Sequence, residues 1–64
     1  MRLSEVARRL TISRAAAYRL VRSGQLRGIR VGRTWRVLRD DFDAYLGELR
    51  AEAERRYRQA REQA

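Results

Sequence analysis

The stretch Ser13-Arg14-Ala15-Ala16-Ala17-Tyr18-Arg19-Leu20-Val21-Arg22-Ser23-Gly24 decides the fold. Ala16, Ala17, Leu20 and Val21 share one face of a 3.6-residue period, and Arg14, Ala15, Tyr18, Arg19 and Arg22 share the other. The pattern predicts a helix with a core side and a basic side that carries one aromatic. Ser13 is a good N-cap residue for it, and Gly24 suits a C-terminal cap that needs positive φ. Upstream, Val6, Ala7 and Leu10 form the stripe of a shorter helix, with Arg8 and Arg9 turned to solvent. Ser4 is the expected N-cap there, and Glu5 stands in the first turn, where the helix dipole favours an acid. Thr11-Ile12 interrupts the pattern before Ser13.

Past Leu26 the period shortens to two. Ile29 and Val31 alternate with Arg30, and Trp35 and Val37 alternate with Arg36, as in β-strands. Gly32-Arg33 lies between them, and glycine at the first central position suits a type II′ hairpin turn. The expectation is a hairpin with its apolar residues inward and Arg30, Arg33 and Arg36 outward or at the tip. A two-stranded ribbon alone is marginal in water, so Trp35 reads as its anchor on the helices rather than a platform for stacked bases.

Asp40, Asp41 and Asp43 open a third helix, acids placed where the dipole favours them. The cluster reads as helix-end electrostatics and not as a metal site. Phe42, Tyr45, Leu46 and Leu49 recur at i, i+3, i+4 and i+7. Beyond Leu49 only Ala53 and Tyr57 continue a thin apolar line. The pairs Arg50–Glu54, Glu52–Arg56, Glu54–Arg58 and Arg58–Glu62 have attractive i,i+4 spacing. This predicts a solvated helix that projects from the domain and frays toward Ala64. The whole is mostly α with a small β-hairpin, a winged helix-turn-helix: helix-turn-helix, two-stranded wing, C-terminal helix. Its expected limits are residues 1–47, with residues 48–64 a charged helical extension.

All 16 basic residues are arginine, against 8 acids, for a net charge of +8 in 64 residues. Residues 1–39 hold eleven arginines and one acid, whereas residues 40–64 hold five arginines and seven acids. A +10 block followed by a nearly balanced segment points to a binding surface for a polyanion followed by a structural or coupling element. Cysteine and histidine are both absent. That removes disulfides, thiolate metal sites, the usual zinc ligand and the usual general base near neutral pH. The composition argues against an enzyme and implies no cofactor. No apolar run approaches a bilayer span and no signal peptide or lipidation pattern is present, so the expected location is cytoplasmic, on the nucleoid.

Arg14, Arg19 and Arg22 on one helix face fit a major groove, where guanidinium forks match the two acceptors of guanine or hold phosphates. Ser13 and the amides at the helix N-terminus suit a phosphate, and the Tyr18 hydroxyl suits another. Ala15 offers only a methyl, which can touch a thymine methyl. Arginines on the hairpin suit the adjacent minor groove, where a narrow A·T-rich groove concentrates negative potential. Any one of these arginines alone reads equally well as a solvated helix residue. Their repetition on helix and hairpin together points to double-stranded DNA. The chain lacks the exposed aromatics of an RNA-stacking surface, and a membrane-surface helix leaves the hairpin unexplained.

The segment from Ser13 to Leu26 resembles the second helix of the excisionase-type winged helix-turn-helix family. Ile29-Arg30-Val31-Gly32-Arg33-Thr34-Trp35-Arg36-Val37, with its VGR-x-WR core, resembles that family's wing, and Phe42-Asp43-Ala44-Tyr45-Leu46 its closing helix. The likeness covers roughly residues 2–47 and extends to the wider superfamily of mercury-resistance (MerR) regulators. It implies double-stranded DNA as partner, with Arg14, Ala15 and Arg19 at base-facing positions of the major groove. By the same likeness Ser13, Tyr18 and Arg22 face the DNA backbone, and Arg33 sits at the wing tip. There are departures. Thr11 stands where the family often has glycine, so a positive φ there would strain it. Arg27 and Leu38 stand where the family often has proline. Ala15 and Ala16 replace hydroxyl residues, which implies affinity drawn from charge and DNA shape more than from base reading.

The function this implies is that of an excisionase, a recombination directionality factor that bends attachment-site DNA and assists an integrase. Such factors often bind as several copies side by side, so cooperative self-association on DNA is a further expectation. The alternative is a small MerR-like transcription regulator that dimerises through its C-terminal helix. A third is the targeting module of a larger recombinase or other enzyme.

Overall fold

The computed structural model describes residues 1–63; the expected fraying at Ala64 lies outside them. The elements follow in the order α1 (Leu3–Leu10), α2 (Arg14–Ser23), β1 (Ile29–Val31), β2 (Thr34–Arg36) and α3 (Arg39–Gln63). Leu3, Val6 and Ala7 of α1 pack on Ala17 and Val21 of α2, on Leu26 and Val37, and on Phe42 of α3. Among the described residues the buried set contains no polar or charged side chain. The fold is a winged helix-turn-helix.

The start of α1 differs from expectation. Its N-cap is Arg2, in extended conformation and without a side-chain capping bond, and Ser4 lies inside the helix. Leu3 is the reason: it is buried in the core, and its place on the apolar stripe of Val6, Ala7 and Leu10 draws the first turn upstream of Ser4. Between α1 and α2 the chain turns at Thr11, at φ 57 and ψ 44 in the left-handed region. The Ile12 amide donates to Ala7 O at 2.9 Å and the Thr11 amide to Arg8 O at 3.2 Å. These are the two bonds of a Schellman cap. The cap needs a left-handed residue, and the sequence supplies a β-branched one. Ser13 Oγ accepts from the Ala16 amide at 3.0 Å and caps α2, which ends at Gly24 with φ 85.

The hairpin forms as a two-residue turn, but its faces are not those expected. Ile29 pairs with Arg36, Arg30 with Trp35, and Val31 with Thr34. Directly opposed residues share a face, so this register sets the odd positions of one strand beside the even positions of the other. Ile29 and Val31 therefore cannot point the same way as Trp35. Trp35 turns to the core with Arg30 on its face, while Ile29 and Val31 are 43% and 57% exposed. Arg36, opposite Ile29, leaves from the outward face as expected, although half-buried, and Arg30 is the arginine that falls on the face of Trp35. Gly32 has φ 62, and Arg33 is not among the positive-φ residues, the sign pattern of a II′ turn. On its other edge β2 meets the N-terminal segment. Arg2 bridges antiparallel to Arg36, and the Val37 amide donates to Met1 O at 2.8 Å.

Asp40 and Asp41 lie in the first turn of α3, which starts one residue earlier, at Arg39. Phe42 is buried, and Tyr45 and Leu46 are partly buried against the core. Leu49 continues the stripe at the edge of the domain, where it is 40% exposed and borders an apolar groove with Leu10, Ile12, Ala16, Leu20 and Tyr45. Of the four expected ion pairs, Glu52–Arg56 closes, at 2.7 Å, and the other three do not. The helix continues unbroken across residues 47–48, giving the molecule a long dimension of 50 Å against 21 and 18 Å.

Candidate nucleic-acid interface

Three segments meet around an open cleft of about 700 Å³. The N-terminal half of α2 contributes Arg14, Ala15 and Tyr18. The wing contributes Arg33 from its turn and Thr34, Trp35 and Arg36 from β2. Arg2, Leu3 and Ser4 close the third side. Each segment is fixed by packing below it. Ala17 and Val21 bury the underside of α2, Val37 holds the base of the wing, and Leu3 seats the start of α1. Just before the wing, Gly28 is in close approach to Val21 and Trp35. The cleft walls are consequently backbone elements at set spacing.

The cleft is lined by four arginines and by no carboxylate. Glu5, the one acid in the first 39 residues, stands on the adjoining surface and lies 3.7 Å from Arg9. Guanidinium groups gathered without counter-charge make a site of positive potential, suited to a polyanion that threads between two ridges.

Of the residues expected to touch DNA, Arg14, Ala15, Tyr18, Arg33 and Arg36 are brought together here. The others lie around this cluster. Arg22 is one turn beyond Tyr18 and donates to its hydroxyl at 3.2 Å, so the two act as a joined pair on the basic face. Ser13 sits at the start of α2 with its oxygen occupied by the Ala16 amide. Arg19 is on the far flank of α2, at the mouth of an apolar groove formed by Leu10, Ile12, Ala16, Leu20, Tyr45 and Leu49. Arg30 shares the face of Trp35 but does not line the cleft. Arg2 was missed by sequence reasoning. It is 34 residues from Arg36 in the chain, and only the bridge to β2 brings it here.

No helix among the described residues is long and apolar enough to cross a membrane. Neither the curated proteins nor the solved structures give a match to this chain. The helix-turn-helix domain family matches residues 1–50, most of the sequence and all of the cleft-forming segments. Helix-turn-helix domains bind DNA, and α2, with its basic face beside a winged cleft, is the second helix of the pair here. The chain belongs to the helix-turn-helix domain family of DNA-binding proteins.

Proposed function

We propose that the protein is an excisionase-type recombination directionality factor, which bends attachment-site DNA and assists an integrase. In this reading Arg14, Ala15 and Arg19 of α2 face bases in the major groove, and Ser13, Tyr18 and Arg22 hold the adjacent backbone. Arg30, Arg33 and Arg36 of the wing serve the neighbouring minor groove. The observation that carries the proposal is the cleft itself, which sets α2 and the wing as two ridges on either side of an acid-free channel. A duplex seated on both ridges is gripped in two adjacent grooves, and opening a minor groove for the wing favours bending.

The test is a gel-shift titration on a long A·T-rich duplex with circularly permuted ends. The expected result is a ladder of cooperative complexes whose mobility depends on site position. A single discrete complex without bending overturns the excisionase reading. One observation favours a second reading, a small MerR-like regulator that dimerises through its last helix. Helix α3 runs on to Gln63 with Tyr57 64% exposed on it. A symmetric dimer on a palindromic site is the result that selects this alternative.

A further inference from the structure

Arg2 and Arg36 are partners in an antiparallel bridge, so their side chains leave the same face of the sheet. Both line the cleft, together with Arg14 and Arg33. Like charges set directly opposite each other across strands are destabilising. No carboxylate lines this cleft; Glu5 shares the adjoining surface with both arginines, but its ion pair is with Arg9 at 3.7 Å, and among the described residues neither Arg2 nor Arg36 has a salt bridge. Two guanidinium groups on one face, neither in an ion pair, are stabilised when an anion of matching geometry sits between them, and a phosphodiester accepts forked donors from both sides.

We propose that Arg2 and Arg36 form a two-arginine clamp on a single DNA phosphate. The proposal rests on the DNA-binding reading above and adds a residue and a ligand atom to it. With α2 in a major groove and the wing in the next minor groove, the strand that separates those grooves must pass between the two ridges. The cleft is that passage, and Arg2 and Arg36 stand on its side wall beside β2. Arg2 thus acts as a phosphate ligand, although it lies outside both the recognition helix and the wing. Its backbone is held in place by the pairing of Met1 with Val37.

The experiment measures duplex affinity of the full chain by fluorescence anisotropy across a salt series. It compares the unsubstituted protein with Arg2→Ala, Arg36→Ala, the double variant, and Arg55→Ala on α3 as an equal change of net charge away from the cleft. The expected result is a several-fold loss for either single variant on every duplex. The double variant flattens the salt dependence by roughly one phosphate's worth, because the two arginines share one. Arg2→Lys is expected to keep the slope and lose part of the affinity. Thermal unfolding of Arg2→Ala without DNA is expected to show an unchanged or raised midpoint, since a repulsion has been removed; a lowered midpoint assigns Arg2 a structural role instead. Arg2→Ala binding like Arg55→Ala overturns the clamp, and a double-variant slope lower by roughly two phosphates assigns the arginines to separate ones. If the unsubstituted protein itself binds no duplex, the DNA reading fails and not the clamp alone.

Discussion

Tyr18 and Arg22, one turn apart on α2, are joined by a hydrogen bond in which Arg22 Nη1 donates to Tyr18 Oη at 3.2 Å. The phenol keeps its own proton for a second partner, and the guanidinium keeps its remaining N–H groups. The pair therefore offers a hydroxyl and a cation to the same neighbourhood, with the long arginine side chain already ordered before any DNA arrives. Order supplied in advance lowers the entropic cost of binding.

Tyr18→Phe removes one neutral donor and frees Arg22. It is expected to weaken duplex binding by about 0.5–1.5 kcal/mol, a factor of roughly 2–10. The slope of affinity against salt is expected to stay the same, since no charge changes. Salt-titrated anisotropy measures both quantities. Wild-type affinity would detach Tyr18 from the interface.

The wing tip and the far flank of α2 are expected to behave differently. Arg33→Ala should lower affinity on all sequences and reduce the salt slope by roughly one phosphate's worth. An unchanged slope counts against the wing contact. Arg19→Ala should instead relax discrimination between sequences by about 1–3 kcal/mol at one base pair. A uniform loss on every duplex makes Arg19 a phosphate ligand.

Gly28 has no room for a side chain. A Cβ placed there meets Val21 Cγ1 at 2.5 Å and Trp35 Cε3 at 3.5 Å. Val21 is buried and cannot swing away, so Gly28→Ala must push the wing off α2 or distort the core. The expected cost is about 1–3 kcal/mol of stability. Thermal unfolding by circular dichroism reads it, and an unshifted midpoint would mean that the core has slack at this point.

Thr11→Gly is expected to act in the opposite direction. Thr11 holds φ 57 on an exposed turn, a conformation that strains a β-branched residue and suits glycine. Relief of about 1–2 kcal/mol of strain exceeds the roughly 0.5–1 kcal/mol of added chain entropy. A small rise in the unfolding midpoint should follow. Thr11→Ala keeps the strain and should show no such rise; a gain equal to that of glycine would place the effect elsewhere.

Much of this fold was legible in the sequence because helices reveal themselves locally. The two stripes of Arg14–Arg22, the cap at Ser13 and the stop at Gly24 are set by neighbours within one or two turns, and the structure bears them out. The hairpin was legible as a hairpin but not in its faces. Alternation along each strand is visible in the sequence, whereas the parity between strands depends on the register, and the register turned Ile29 and Val31 outward. Ser4 resembled a cap because its chemistry suits one, but burial of Leu3 settled where α1 begins. Arg2 carried no local signal. Its place depends on a bridge across most of the domain.

The unbroken course of α3 has a mechanical consequence. From Arg50 to Gln63 the helix adds about 20 Å of shaft at 1.5 Å per residue, continuous with the turn that holds Phe42 in the core. Whatever meets Tyr57 is presented at a fixed height and azimuth relative to α2. Each residue inserted into the shaft would rotate its far end by about 100°, so two would turn Tyr57 to the opposite side, while seven would nearly restore its bearing and only lengthen the reach.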